Sequence, residues 1–299
     1  MRIAIYLLVL SFLFSFISCS EPYEPIDDAE VIVRLPSEPA KLSALYAAGR
    51  TDDARVASKI YLTLLEYDPE TLEILPAAAT ERPKITAIEE GTYAGGSMHE
   101  YTLRKEATFS DGKRVTAADF ESTIKSIVNP RAGFHFASLI DYLKDIKVDP
   151  TDPYKFTAYL ESKNVGSEMA IGNMPIMPKH IHDPNGVLDK YSLEDLRNPA
   201  ILADADSLAL IELAEMNASD TYNRDSSLLV GSGAYELESW TSGSQIVLTR
   251  KENWWADHLQ QENNALESRP RKLIYTFVKD EPAAITMLKD GQLGKHWRI

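Results

Sequence analysis

One cysteine, Cys19, stands in 299 residues, so no intrachain disulfide is possible and compactness must come from a packed core. Basic residues are in deficit: 31 Lys and Arg face 45 Asp and Glu, a formal charge of −14. A nucleic-acid binder carries a basic face, which this balance does not supply, so that class of partner is set aside. Beyond residue 17 there is no apolar run of the roughly 20 residues that a bilayer crossing takes. Short repeats and low-complexity stretches are missing, which excludes solenoids and arrays. The GxSxG elbow, HExxH and a Cys–His pair are missing too, so hydrolysis has no visible apparatus and the chain reads as a non-enzyme. Gly231-Ser232-Gly233 is no phosphate loop, because it leads into a strand and offers no helix N-terminus to an anion. No cofactor is expected.

Residues 1–19 form a separate signal. Arg2 precedes an apolar stretch from Ile3 to Ile17, broken only by Ser11 and Ser15, and Ser18-Cys19 ends it. That length suits a signal-peptide core and is short for a membrane span. Cys19, straight after the run, is similar to the cysteine of a bacterial lipobox, which cleavage leaves as an acylated N-terminus. The competing reading is a plain secretory signal beside a buried free thiol. Residues 20–30 then read as an acidic tether, with Glu21, Glu24, Asp27 and Asp28 solvated and Pro22 and Pro25 keeping it extended.

Past the tether, strands and helices mix. Period-two alternation predicts strands over 30–35, 84–90, 99–104, 145–148, 155–160 and 271–277, with a hairpin of 235–240 and 245–250 across Thr241-Ser242-Gly243-Ser244. Helical spacing predicts helices over 53–65 (Val56, Ile60, Leu64), around 208–215 (Leu208, Ile211, Ala214, Glu215) and over 281–290, the last with Pro282 in its first turn and Gly291 behind it. Hydrophobic content of 44% suffices for a core, and the class is α/β or α+β with at least two lobes.

The most informative stretch is Tyr101 to Phe120, YTLRKEATFSDGKRVTAADF. It reads as a strand, an Asp111-Gly112 turn and a helix capped by Thr116 and Asp119, with Phe120, Ile124, Ile127 and Val128 on one face and Pro130 closing it. Its wording resembles the marker segment of the family 5 extracellular solute-binding proteins, the oligopeptide-, dipeptide- and nickel-binding subunits of ABC importers. Other segments agree in order: Ile60 to Asp68 with Leu75 to Ala79, Met177-Pro178-Lys179-His180-Ile181, Val230 to Leu237 with Trp240, Ile246 to Arg250, Trp254-Trp255, and Ala283 to Gly291. The resemblance covers about residues 31 to 293.

That resemblance implies an α/β, periplasmic-binding-protein-like fold of type II with the family's three-lobe plan. The main lobe would comprise 31–65 plus 166–299, and a smaller lobe, 66–165, would be inserted in it. In the family a third lobe follows the last helix and closes over the ligand. Here the sequence runs through Gly294-Lys295-His296-Trp297-Arg298-Ile299 and stops, so a C-terminally truncated member with the third lobe missing is expected.

The resemblance further implies a peptide-capturing, lipid-anchored monomer on the periplasmic side of the cell envelope. Its partners would be a peptide ligand, an ABC permease in the inner membrane, and the membrane itself through Cys19, with no nucleic acid. Alternatives that stay open are a non-binding fragment of such a protein and a binder of nickel or another solute. Glu38 aligns with a cleft-facing position in oligopeptide binders, where a carboxylate would meet a cationic side chain or an ammonium; a solvated loop acid is the competing reading. Phe134, His135 and Phe136 sit where an aromatic often lies near the ligand, against plain core packing. Gly231, Ser232 and Gly233 make a turn whose backbone would serve an extended ligand. His180, His182 and Asp183 lack helical HxxxH spacing, and no metal is expected there; Trp240, Trp254 and Trp255 read as structural anchors.

Overall fold

The computed structural model describes residues 29–47, 50–134, 137, 140–161, 166–198, 207–260 and 263–294. The leader, Cys19 and most of the tether lie outside them. Three sheets carry the fold. The first has the order β1-β10-β9-β8, built from β1 (Glu30–Leu35), β10 (Lys272–Phe277), β9 (Gln245–Arg250) and β8 (Tyr235–Thr241). Strand β1 runs parallel to β10, from Glu30 opposite Lys272 to Leu35 opposite Phe277, so segments more than 230 residues apart share one sheet. The other pairs in it are antiparallel. A parallel pair needs a long crossover, and here some 236 residues supply it (272 minus 36).

All of the second sheet falls within that crossover. Its order is β4-β5-β7-β6: β4 (Lys84–Ala87), β5 (Ser97–Thr102), β7 (Lys155–Leu160) and β6 (Leu143–Val148), antiparallel throughout. Alternation along β7 turns Phe156, Ala158 and Leu160 inward, and α3 (Ala117–Val128), with Phe120, Ile124 and Ile127 buried, lays Phe120 against Phe156. Phe156 stacks on Tyr101 at 5.1 Å and on Phe120 at 4.8 Å. A two-stranded ribbon, β2 (Leu65–Tyr67) and β3 (Ile74–Pro76), is the third sheet.

Two helices depart from the sequence reading. The helix predicted over 53–65 is α2 (Thr51–Ile60), following a short α1 (Ala44–Ala47), and it stops at Ile60 because later backbone is needed elsewhere. The Ile60 carbonyl accepts from Gly233 N, and the carbonyls of Leu62, Thr63 and Leu64 accept from Ile176, Ala78 and Ala77. Downstream come α4 (Ser167–Gly172), α5 (Lys179–His182) and α6 (Leu193–Arg197, capped by Ser192). The helix around 208–215 is α7 (Ser207–Ala218), with its buried face turned from the expected one: Ser207, Leu210, Leu213, Ala214 and Asn217 go in, and Leu208 is 63% exposed. Polar anchors set that rotation, since Asn129 donates to the Leu210 carbonyl and Asn217 bonds both Nδ1 and the carbonyl of His182. After α8 (Asp220–Arg224) and the β8–β9 hairpin, α9 (Glu281–Lys289) closes the order, with Gly291 at φ +65° behind it. Among the described residues no helix is long and apolar enough to cross a membrane.

Candidate functional site

In open α/β sheets ligands bind beyond the carboxyl ends of parallel strands. Here that edge is the end of the β1/β10 pair at Leu35 and Phe277. Three segments meet there: the loop 36–43 after β1, residues 278–280 after β10, and the β8–β9 turn. They are stitched by Val278 N to the Leu35 carbonyl (2.9 Å), Phe277 N to Ser244 O (2.9 Å) and Arg34 Nε to Val278 O (2.9 Å). The first loop is held from below by α2. Ser37 donates through N and Oγ to Asp52, and Ala40 N and Lys41 N donate to buried Asp53.

Glu38 sits on this rim, and its carboxylate is engaged by the chain itself. Oε1 accepts from Trp240 Nε1 and Ser242 Oγ, and Oε2 from Gly243 N, each at 2.9 Å. Burial pushes its pKa up, but those donors and the charge of Arg224 outweigh it and hold the group below the usual glutamate value. Glu38 is therefore more than a solvated loop acid, since three donors of the chain already engage its carboxylate. It locks the hairpin turn to the β1 loop across about 200 residues of sequence. Arg224, at the end of α8, lies with its guanidinium carbon 4.3 Å from the Trp240 ring centroid and 3.9 Å (NH1 to Oε1) from Glu38. No sequence pattern flags Arg224; only its spatial neighbours do.

The Gly231-Ser232-Gly233 bend is fully inside the protein. Its backbone is committed: Gly231 O accepts from Ser110 N (3.1 Å) and Lys251 Nζ (2.6 Å), Ser232 O from the indole N–H groups of Trp254 and Trp255 (2.9 Å each), and Gly233 N donates to Ile60 O (2.8 Å). Burial lowers the Lys251 pKa to about 8, against the raising effect of Glu236 and Asp111. The bend is buried and serves as a packing joint, with Gly231 O, Ser232 O and Gly233 N taken up within the chain. Phe134 tilts onto Tyr46 at 4.8 Å beside the core, which is the packing alternative; His135 and Phe136 lie outside the described residues, as does Cys19.

The marker segment is a joint as well. Asp119 takes Thr116 N and Oγ1 at 2.8 Å, and Lys179 N, from the Met177–Ile181 segment, at 2.9 Å. Asp111, in the turn with Gly112 at φ +81°, lies 2.6 Å from His180 Nε2. His182 is buried, and burial takes its pKa down to about 4, so it is neutral at pH 7. Among the described residues no group of three or more His, Cys, Asp or Glu is placed to hold a metal ion. A cavity of about 700 Å³ lies elsewhere, between the 92–94 loop, the end of β7 and α6. Several of its polar groups are engaged within the chain: Lys144 pairs Glu161 at 2.9 Å, Tyr93 donates to Asp145 at 2.8 Å, and Arg197 donates to the Leu143 and Ile140 carbonyls. We therefore place the candidate site at the β1/β10 rim.

Residues 76–294 match the family described as bacterial extracellular solute-binding proteins, family 5. The chain belongs to that family. It is 24% identical over 285 residues to protein XP55 of Streptomyces lividans and 21% identical over 272 residues to the oligopeptide-binding protein AppA of Bacillus subtilis. These alignments take in 92% and 90% of the chain and 41% of each relative, so the chain spans less than half the length of the curated family members it matches. Among solved structures it is similar to AppA in complex with a nonapeptide, with a TM-score of 0.63 at 20% identity over 90% of this chain and 44% of that one. It is also similar to NikZ of Campylobacter jejuni in complex with Ni(L-His), with a TM-score of 0.60 at 18% identity over 90% and 43%. At such identities the likeness speaks for the fold, a periplasmic-binding-protein-like α/β architecture.

Proposed function

We propose that this family 5 protein is the substrate-capturing subunit of an ABC importer, taking up peptides and handing them to a membrane permease. The observation that carries the reading is the rim at the carboxyl ends of β1 and β10, where a stacked Arg224–Trp240 pair and a locked Glu38 stand beside partly exposed backbone. A peptide offers complementary charge and main-chain groups to such an edge. The nonapeptide seen with AppA favours this cargo by analogy of fold. Capture without turnover is supported by the state of the nearest Ser–His pair. Ser97 Oγ and His99 Nε2 are 3.3 Å apart, both residues are 0% exposed, and burial lowers the imidazole pKa, so no substrate reaches them. The lobe plan proposed is a main body from 31–65 and 166–299 carrying a smaller body from 66–165, in keeping with a first sheet made from residues 30–35 and 235–277 and a second made only from residues 84–160. On this reading Cys19 is acylated and holds the protein at the periplasmic face; loss of lipid label in C19S tests that step. Calorimetric titration with a mixed library of short peptides tests the whole: saturable heat is expected, and none up to about millimolar peptide, a Kd floor of roughly −4 kcal/mol, would refute capture.

A further inference from the structure

We infer that Arg224, and not Glu38, is the group that meets ligand charge at this rim, and that the cargo presents a free carboxylate to it. The inference rests on the peptide-capture reading and narrows it. Glu38 has both oxygens engaged by Trp240, Ser242 and Gly243, so an incoming ammonium would have to compete with three donors already in place. Arg224 is the reverse case. Its guanidinium carries five N–H donors, yet its hydrogen bonding amounts to one long contact, NH2 to the Ala40 carbonyl at 3.4 Å. Its approach to Glu38, 3.9 Å, is an ion-pair distance and no hydrogen bond. The side chain is 39% exposed.

Two features prepare that guanidinium for a planar anion. The Trp240 ring beneath it limits the orientations of the fork, and the ring is itself fixed because its N–H is bonded to Glu38. Ordering a long, flexible side chain before binding reduces the entropy lost when the ligand arrives. Glu38 takes part indirectly: its charge, satisfied by neutral donors, faces Arg224 without covering it. A carboxylate accepts bidentate from Arg in a geometry that an amide or a hydroxyl cannot match. The neighbouring cation, Lys41, is already committed to the Ala218 carbonyl at 2.6 Å and to the face of Tyr46 at 4.1 Å. Arg224 is thus a rim cation with donors to spare, pre-ordered on Trp240 in a way that exposed Lys279 on the β10 side is not, and the class of ligand it selects is a peptide or similar acid with an exposed carboxylate.

The test is a pair of calorimetric titrations of the full chain, with a random pentapeptide library bearing free C-termini and with the same library C-terminally amidated. We expect amidation to weaken binding about tenfold or more, the scale of a bidentate Arg–carboxylate contact. R224Q should weaken the free-acid library by a similar factor and erase the difference between the libraries; R224K, which keeps charge and loses the fork, should fall between. N-terminal acetylation should change affinity less than about threefold, whereas a Glu38–ammonium contact would make it the larger effect. Thermal midpoints of R224Q and R224K matched to wild type assure the fold. Equal binding of both libraries, or an amidation effect that survives in R224Q, overturns the Arg224 inference while leaving peptide capture standing. Heat from neither library overturns capture and this inference with it.

Discussion

Replacing Gly231 by alanine puts the joint at the centre of this fold to a quantitative test. A Cβ there would lie 2.0 Å from the Ile60 carbonyl oxygen and 2.7 Å from its carbon, both backbone atoms that no rotamer change can move. Reaching the 3.0 Å below which real Cβ contacts essentially never fall requires the two segments to part by about 1 Å. Overpacking of that kind costs about 1–3 kcal/mol. The same displacement strains the Gly233 N–H bond to Ile60 O and the Lys251 Nζ bond to Gly231 O, about 0.5–1.5 kcal/mol for the first and about 1.5–3 for the charged one. Partial relaxation leaves an expected loss of about 3–6 kcal/mol, a large share of the roughly 5–15 kcal/mol that stabilises a native protein. With a urea slope near 2 kcal/mol/M, the unfolding midpoint followed by tryptophan fluorescence should fall by about 1.5–3 M. Gly243→Ala is the internal control. That glycine has φ +72° but nothing within 4 Å of a Cβ, so only the left-handed backbone penalty of about 1–2 kcal/mol applies. A G231A midpoint no lower than that of G243A would refute the reasoning, because it would mean the bend has slack that the geometry denies it.

Three more outcomes can be checked on the same instrument. F156A removes the ring stacked between Tyr101 and Phe120 and should cost about 3–5 kcal/mol in urea unfolding; a loss under about 1 kcal/mol would show that the stack is not core. His182, with its pKa pushed down to about 4 by burial, is neutral in the folded state while the unfolded imidazole protonates near pH 6.5. Its contribution is therefore complete above about pH 6.5 and lost toward pH 4 at roughly 1.4 kcal/mol per unit, and H182Q should remove that slope; equal slopes in the two proteins would contradict it. Glu38, held below its ordinary value, stabilises above the usual glutamate pKa and loses that contribution as pH falls through the lowered one. The stability gap between wild type and E38Q should be full above the usual glutamate pKa and narrow as pH falls below it, and a gap independent of pH would count against the Glu38 lock.

Much of the fold was legible because its strands keep their alternation. The borders of β1, β7 and β9 follow from period two, and the hairpin turn from Gly243. What could not be read depended on distant partners. Nothing local stops α2 at Ile60; Gly233 N takes the Ile60 carbonyl that a helix running to Leu65 would have given to Leu64 N, and Ile176, Ala78 and Ala77 hold the backbone of 62–64 against other segments. The face of α7 departs from its apolar spacing for a related reason. Apolar spacing favoured Leu208 and Ile211, yet Asn217 bonded to His182 and the Leu210 carbonyl bonded to Asn129 fix the rotation and leave Leu208 in solvent.

The candidate site divides along the same line. The segments that made the family legible, Tyr101–Phe120, Met177–Ile181, Val230–Leu237 and Trp254-Trp255, meet one another in the structure: Asp119 reaches Lys179, Asp111 reaches His180, Ser110 reaches Gly231, and both indoles reach Ser232. Joints of this kind demand particular residues, a glycine where backbones touch or a short acid where two N–H groups converge, and so they write a motif into the sequence. A group that meets a ligand, as inferred for Arg224, is under no such demand from the fold. Arg224 is held by a ring 16 positions on and an acid 186 positions back, and only folding brings the three together. On the proposed reading, ligand choice would be carried by residues outside the motifs, because the motifs that identify the family are spent on joints of the fold.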